Sequence, residues 1–69
     1  MKLSARNVLR GTVVEIVTGA VTSHIRIDIG GTIATASITK AAVQELGLAV
    51  GKPAAAVIKA SDVMVGVDD

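Results

Sequence analysis

A chain of 69 residues with no cysteine and a single histidine, His24, has room for one domain, 1–69, and for neither disulfides, thiolate zinc sites nor a multi-histidine metal site within one chain. The formal net charge is +1 and there is no Phe, Tyr or Trp, which removes both the basic excess and the stacking rings of a typical nucleic-acid-binding domain. Yet 51% of the residues are hydrophobic, mostly Val, Ile and Ala, more aliphatic surface than so small a core hides, so partner copies are the expected source of stability.

The amino terminus, Met1 to Asn7, lacks the apolar run of a signal peptide, and no stretch approaches the roughly 20 apolar residues of a membrane span, so no membrane partner is expected and the expected compartment is cytoplasmic. The first strand is predicted from about Asn7 to Val17, with the β-branched run Thr12-Val13-Val14-Glu15-Ile16-Val17 at its centre. Thr18-Gly19-Ala20 reads as a turn. From Val21 to Ile29 the chain alternates: Val21, Ser23, Ile25, Ile27 and Ile29 share one face, and Thr22, His24, Arg26 and Asp28 the other. That period predicts a second strand with one buried and one polar side.

Gly30-Gly31 is a hairpin signal, because both residues accept positive φ. A third strand follows over Thr32 to Ile38, its small Ala34 and Ala36 allowing close approach. Thr39 reads as a helix N-cap, Lys40 to Leu46 as a two-turn helix carrying Ala42, Val43 and Leu46 at helical spacing, and Gly47 with Leu48 as its C-terminal cap. Ala42 stands where a capping box would have Glu or Gln. Val50-Gly51-Lys52-Pro53 is a turn, Ala54 to Ala60 a fourth strand, Ser61-Asp62 a break, Val63 to Val67 a fifth strand, and Asp68-Asp69 a solvated tail. Five short strands with one helix between the third and fourth give a mainly β chain in the order of an OB-fold-like five-stranded barrel.

No catalytic constellation emerges. His24, Arg26 and Asp28 share the polar face of the second strand, a pattern suited to cross-strand or intersubunit ion pairs, and Glu15 and Glu45 stand alone. The chain is therefore read as a non-enzyme.

Two clusters suit an oxyanion instead. Ser4-Ala5-Arg6-Asn7 puts a hydroxyl, a guanidinium and an amide in one extended segment, with Ser4 and Arg6 projecting to the same side. Ile58-Lys59-Ala60-Ser61 sets a lysine and a hydroxyl at the end of an otherwise apolar strand. A third candidate is the helix start at Thr39, where free N–H groups gather.

In order along the chain, Ser4-Ala5-Arg6-Asn7, Gly11-Thr12-Val13, Gly30-Gly31, Ile38-Thr39, Leu46-Gly47-Leu48 with Gly51, and Ile58-Lys59-Ala60 resemble the molybdate-binding Mop, or TOBE-type, domain. Domains of this kind occur in molbindins, in molybdate-responsive regulators and at the end of molybdate transporter ATPases. The resemblance runs from Lys2 to about Val65, and the extent of the chain is more similar to a free-standing molbindin than to a fragment. It implies a homo-oligomer assembled as a trimer of dimers, a hexamer, with molybdate or tungstate held between subunits for intracellular storage and homeostasis. Residue by residue, it implies donation to the anion from Ser4, Arg6 and the backbone N–H of Ala5, a second positive charge from Lys59 with Ser61 beside it, and a donor at Thr39 from a neighbouring subunit. For sites near the three-fold axis it suggests only the turn containing Gly19 and Ala20. Ala42 departs from the pattern, since some relatives carry a serine there. A pterin ligand is disfavoured because no aromatic side chain exists to stack on its ring. A molybdate-sensing module that acts through a protein partner, and a nucleic-acid-binding barrel, are the alternative readings.

Overall fold

The computed structural model describes residues 1–68. Its backbone is organised around one long strand, β1 (Asn7–Thr18), which changes partner halfway along. The first half of β1 pairs antiparallel with β4 (Pro53–Ile58), from Asn7↔Ile58 to Thr12↔Pro53. The second half pairs antiparallel with β2 (Thr22–Asp28), from Thr12↔Asp28 to Thr18↔Ser23. Outside β2 lies β3 (Ile33–Thr39), again antiparallel, so the sheet has the order β3-β2-β1-β4.

Two local features curl this sheet. A bulge falls between Val13 and Glu15, so that Val13 and Ile16 both turn inward while Val14 and Glu15 stay outside. An extra residue in one strand bends it and increases its twist. At Gly11, a Cβ would lie 2.0 Å from the Asp28 carbonyl oxygen. The missing side chain is what lets the end of β2 cross against β1.

The core lies inside the curl. Val13, Ile25 and Ile27 are buried, with Ile16, Ile29, Ala36, Ile38, Val43, Leu48, Ala54 and Ala56 packed around them. The predicted alternation of β2 holds: Ser23, Ile25 and Ile27 are buried, while Thr22, His24 and Arg26 are exposed. Ser23 is the polar member of this row. Its hydroxyl has no hydrogen-bond partner among the described residues.

The hairpin between β2 and β3 forms on Gly30 (φ 108°) and Gly31 (φ 92°), closed by the Ile29 N–H donating to the Thr32 carbonyl at 2.9 Å. The helix α1 (Lys40–Leu46) has the predicted bounds. Thr39 caps it, Oγ1 accepting from the Ala42 N–H at 3.0 Å. At the other end Gly47 is left-handed (φ 63°), its N–H donating to Gln44 and that of Leu48 to Val43, so Leu48 folds back onto the core.

The fifth strand is the main correction. After Ile58 the chain makes a single 3₁₀ turn, Ala60–Asp62, and Val63 to Val67 continue without a ladder partner. The segment has the composition of a strand, but within the chain neither sheet edge is aligned with it. Met64, Val65 and Val67 are 94%, 92% and 87% exposed. The result is a half-barrel of four strands rather than a closed barrel of five. The β3 and β4 sides face each other across an open apolar groove of about 520 Å³, lined by Ile25, Ile27, Ala36, Leu48, Ala54 and Ala56 among others. Asp68 is exposed, as expected for a tail, and Asp69 lies outside the described residues.

Candidate functional site

The antiparallel pairing of β1 with β4 decides which predicted residues meet. Because Asn7 is paired with Ile58 in the last pair of the ladder, the segment that leads into β1 and the segment that leaves β4 both start from the same end of the sheet. Those segments are Ser4-Ala5-Arg6 and Lys59-Ala60-Ser61, brought together from opposite ends of the sequence. Ser4 and Arg6 are exposed with Ala5 half-buried between them, the alternation expected if both polar groups project outward. Lys59 and Ser61 are exposed as well. The ion pair found among the described residues is Arg26–Glu15, so no carboxylate neutralises Arg6 or Lys59 there.

The seam between the two segments is fastened by a side chain. Asn7 Nδ2 donates to the Ile58 carbonyl at 3.2 Å, a bond between residues 51 apart in sequence. Beyond it, the Lys59 carbonyl accepts from the Asp62 N–H at 2.9 Å and starts the 3₁₀ turn that carries Ser61. The Asn7 amide is thus engaged in holding the backbone.

Thr39, Gly19 and Ala20 form a separate group. Thr39 pairs with Thr22 at the end of β3, and the Lys40 N–H donates to the Val21 carbonyl at 2.8 Å, so the helix start sits beside the β1–β2 turn. That turn is closed by the Gly19 N–H donating to the Thr22 carbonyl at 2.8 Å, and Gly19 and Ala20 are both exposed. This group is at the Thr18 end of β1, while the cations are at its Asn7 end. The strand between them, Asn7–Thr18, spans about 36 Å over its eleven residue-to-residue steps at ~3.3 Å each, before allowing for curl. Within one chain Thr39 therefore does not meet Arg6 and Lys59. Its hydroxyl, accepting in the cap, still has its own proton to donate.

The polar face of β2 is organised differently from the expected trio. Arg26 pairs across the ladder with Glu15, NH1 to Oε1 at 3.6 Å, an exposed contact of small energetic weight. His24 is exposed between Val17 and Ser37. Asp28 turns to the hairpin instead, Oδ1 accepting from the Gly31 N–H at 2.8 Å and the Gly30 N–H at 3.0 Å. These two donors, Gly31 first, hold the Asp28 carboxyl below the ordinary aspartate value, against a slight opposing effect of burial. The spacing Asp-x-Gly-Gly was the signal for this clamp, since an aspartate readily accepts from backbone two and three residues on. Among the described residues no cluster of three or more His, Asp or Glu is placed to hold a metal ion, and no helix is long and apolar enough to cross a membrane.

Comparison with known proteins agrees with this architecture. A family profile for the TOBE domain matches residues 3–65. The chain is 54% identical to the "Probable molybdenum-pterin-binding protein" of Haemophilus influenzae, covering 99% of this chain and 100% of that protein. Its fold superposes with a TM-score of 0.92 on the structure of a molybdate binding protein from Sporomusa ovata, at 42% identity over 97% of this chain and 100% of that one. It also superposes, with a TM-score of 0.93 and 52% identity, on the cytoplasmic molybdate-binding protein ModG in a form with molybdate bound, covering 99% of this chain and 49% of ModG. The family match over residues 3–65, the 54% identity along the whole Haemophilus influenzae protein and the shared fold agree: this chain belongs to the TOBE domain family, among the molybdenum-pterin-binding, or Mop, proteins.

Proposed function

We propose that this protein binds molybdate or tungstate at sites formed between copies of the chain, and so stores and buffers molybdenum inside the cell. The observation that carries the proposal is the convergence of Arg6 and Lys59 where β1 begins and β4 ends, with no carboxylate paired to either among the described residues. A tetrahedral dianion needs two positive charges for neutrality and a shell of N–H and O–H donors for its oxygens. Arg6 supplies a fixed fork of donors, Lys59 a compact ammonium, Ser4 and Ser61 hydroxyls, and Ala5 a backbone N–H. Such pairing makes burial of a doubly charged ion tolerable, whereas an unpaired one would be expelled. With no aromatic residue to face a pterin ring, the free oxyanion is the better fit.

The division of the donors supports a site shared between copies. Thr39, Gly19 and Ala20 lie at the far end of β1, so a second chain has to bring them to the cations, or they build a further site of their own around a symmetry axis. The open groove and the unpaired segment Val63 to Val67 supply a reason to associate: an apolar cleft lacking a strand and an exposed apolar strand lacking a sheet are complementary between copies. A homo-oligomer, specifically a hexamer built as a trimer of dimers, accommodates both kinds of contact. Anion and assembly then stabilise one another by linkage. A cytoplasmic location fits this role and matches the description of ModG.

Native mass spectrometry with and without molybdate, and with tungstate in parallel, tests the whole reading. The expected result is an oligomer that gains oxyanion mass at limiting anion, and gains less of it in Arg6→Ala and Lys59→Ala, which bind more weakly, while keeping its subunit number. A monomer with no mass shift would sink the proposal. An oligomer whose loading ignores both substitutions would remove the cations from the site.

A further inference from the structure

We infer that Asn7 is a positioning residue for this anion site, holding Arg6 and Lys59 at the spacing the ligand requires. The inference rests on the reading of those two cations as the site. Asn7 is joined through its own peptide bond to Arg6, and the carbonyl that its amide reaches belongs to the peptide whose nitrogen is that of Lys59. One hydrogen bond therefore fixes the two cation-bearing residues relative to each other, from a point next to both.

Little else does so. Asn7↔Ile58 is the last pair of the β1–β4 ladder, and beyond it both segments leave the sheet. Ladder ends fray, because the final pair has neighbours on one side only. The Asn7 amide is half-buried, so water competes for it less than at an exposed end. Downstream, the 3₁₀ turn is anchored on the Lys59 carbonyl, so a shift at Ile58 carries Ser61 with it. Loss of the Asn7 donor lets the cations separate in the free protein, and the ligand must then restore their spacing each time it binds. Preorganisation of this kind shows in affinity.

Calorimetric titration with sodium molybdate tests it on wild type, Asn7→Leu, Asn7→Ala and Asn7→Gln, each also in a Lys59→Ala background. A single net hydrogen bond corresponds to roughly 3- to 10-fold in affinity, the expected weakening in Asn7→Leu. Asn7→Ala carries the same test without the larger apolar group, should the leucine variant not fold. Asn7→Gln keeps an amide donor and should recover part of the loss. In the Lys59→Ala background the effect of removing Asn7 should shrink to about twofold or less, because there is no second cation left to space. A merely structural role would leave the penalty unchanged there, and that result overturns the inference. So does wild-type affinity in both Asn7→Leu and Asn7→Ala while Arg6→Ala and Lys59→Ala bind weakly. If the two cation variants themselves bind as wild type, it is the anion-site reading that fails.

Discussion

Replacing Gly11 with alanine should be among the most destabilising single-methyl additions in this protein. The added carbon would stand 2.0 Å from the Asp28 carbonyl oxygen, 2.8 Å from its carbonyl carbon and 3.0 Å from the Ile29 Cα. Carbon–oxygen contacts in sheets sit near 3.3 Å, so relief needs roughly 1.3 Å of movement. All three atoms are backbone, so no rotamer change provides it. Asp28 is held in register with Thr12, and its carboxylate is tied to the Gly30 and Gly31 amides. Overpacking that side chains can absorb costs about 1–3 kcal/mol. Here the strand crossing must open, with one or two hydrogen bonds at about 1 kcal/mol each added to the cost. The expected loss is roughly 2–5 kcal/mol, a large part of the stability of a chain this size. The assay is urea unfolding at matched protein concentration, followed by far-ultraviolet circular dichroism because the chain has no aromatic reporter. A Gly11→Ala midpoint equal to that of wild type would refute the close crossing of β1 and β2.

Three further outcomes follow from other parts of the fold. Ser23→Ala removes a buried hydroxyl without a partner among the described residues, so stability should be unchanged or rise by up to about 1 kcal/mol; a loss greater than that in thermal unfolding would reveal a bond to this group. The Asp28 carboxyl is held below its ordinary value in the folded state, so its contribution is fully present above about pH 4 and is lost as pH falls through the lowered folded value. Thermal midpoints measured down to about pH 2 should therefore drop more steeply for wild type than for Asp28→Asn, and equal slopes would contradict the clamp. A chain ending at Asp62 removes the exposed Met64, Val65 and Val67, whose full burial between copies would be worth about 1.5–3 kcal/mol each; sedimentation should show a smaller assembly, and an unchanged one would assign the interface elsewhere.

The elements that a local pattern can specify were readable. The alternation of Ile25 and Ile27 with His24 and Arg26 gave β2 its faces, Gly30-Gly31 gave the hairpin, and Thr39 with Gly47 bounded the helix. What escaped depends on partners distant in sequence. The bulge at Val14 is hidden because Val13 and Ile16 face inward on opposite phases of a simple alternation. The role of the Asn7 amide escaped as well, because its acceptor, the Ile58 carbonyl, lies 51 residues away in sequence. Val63 to Val67 has the composition of a strand, and composition says that a segment prefers extended backbone without saying which edge it joins.

The candidate site divides along the same line. The residue types in Ser4-Ala5-Arg6 and Lys59-Ala60-Ser61 suggest an anion, and family resemblance names it, but their meeting follows from one antiparallel register. The same topology that joins those segments puts Thr39 at the opposite end of the longest strand. On the proposed reading, the chain contributes two incomplete half-sites alongside one incomplete barrel. If a second copy completes the barrel, the aliphatic excess and the split donors have one cause: this sequence encodes an interface, with its binding chemistry distributed on either side of it.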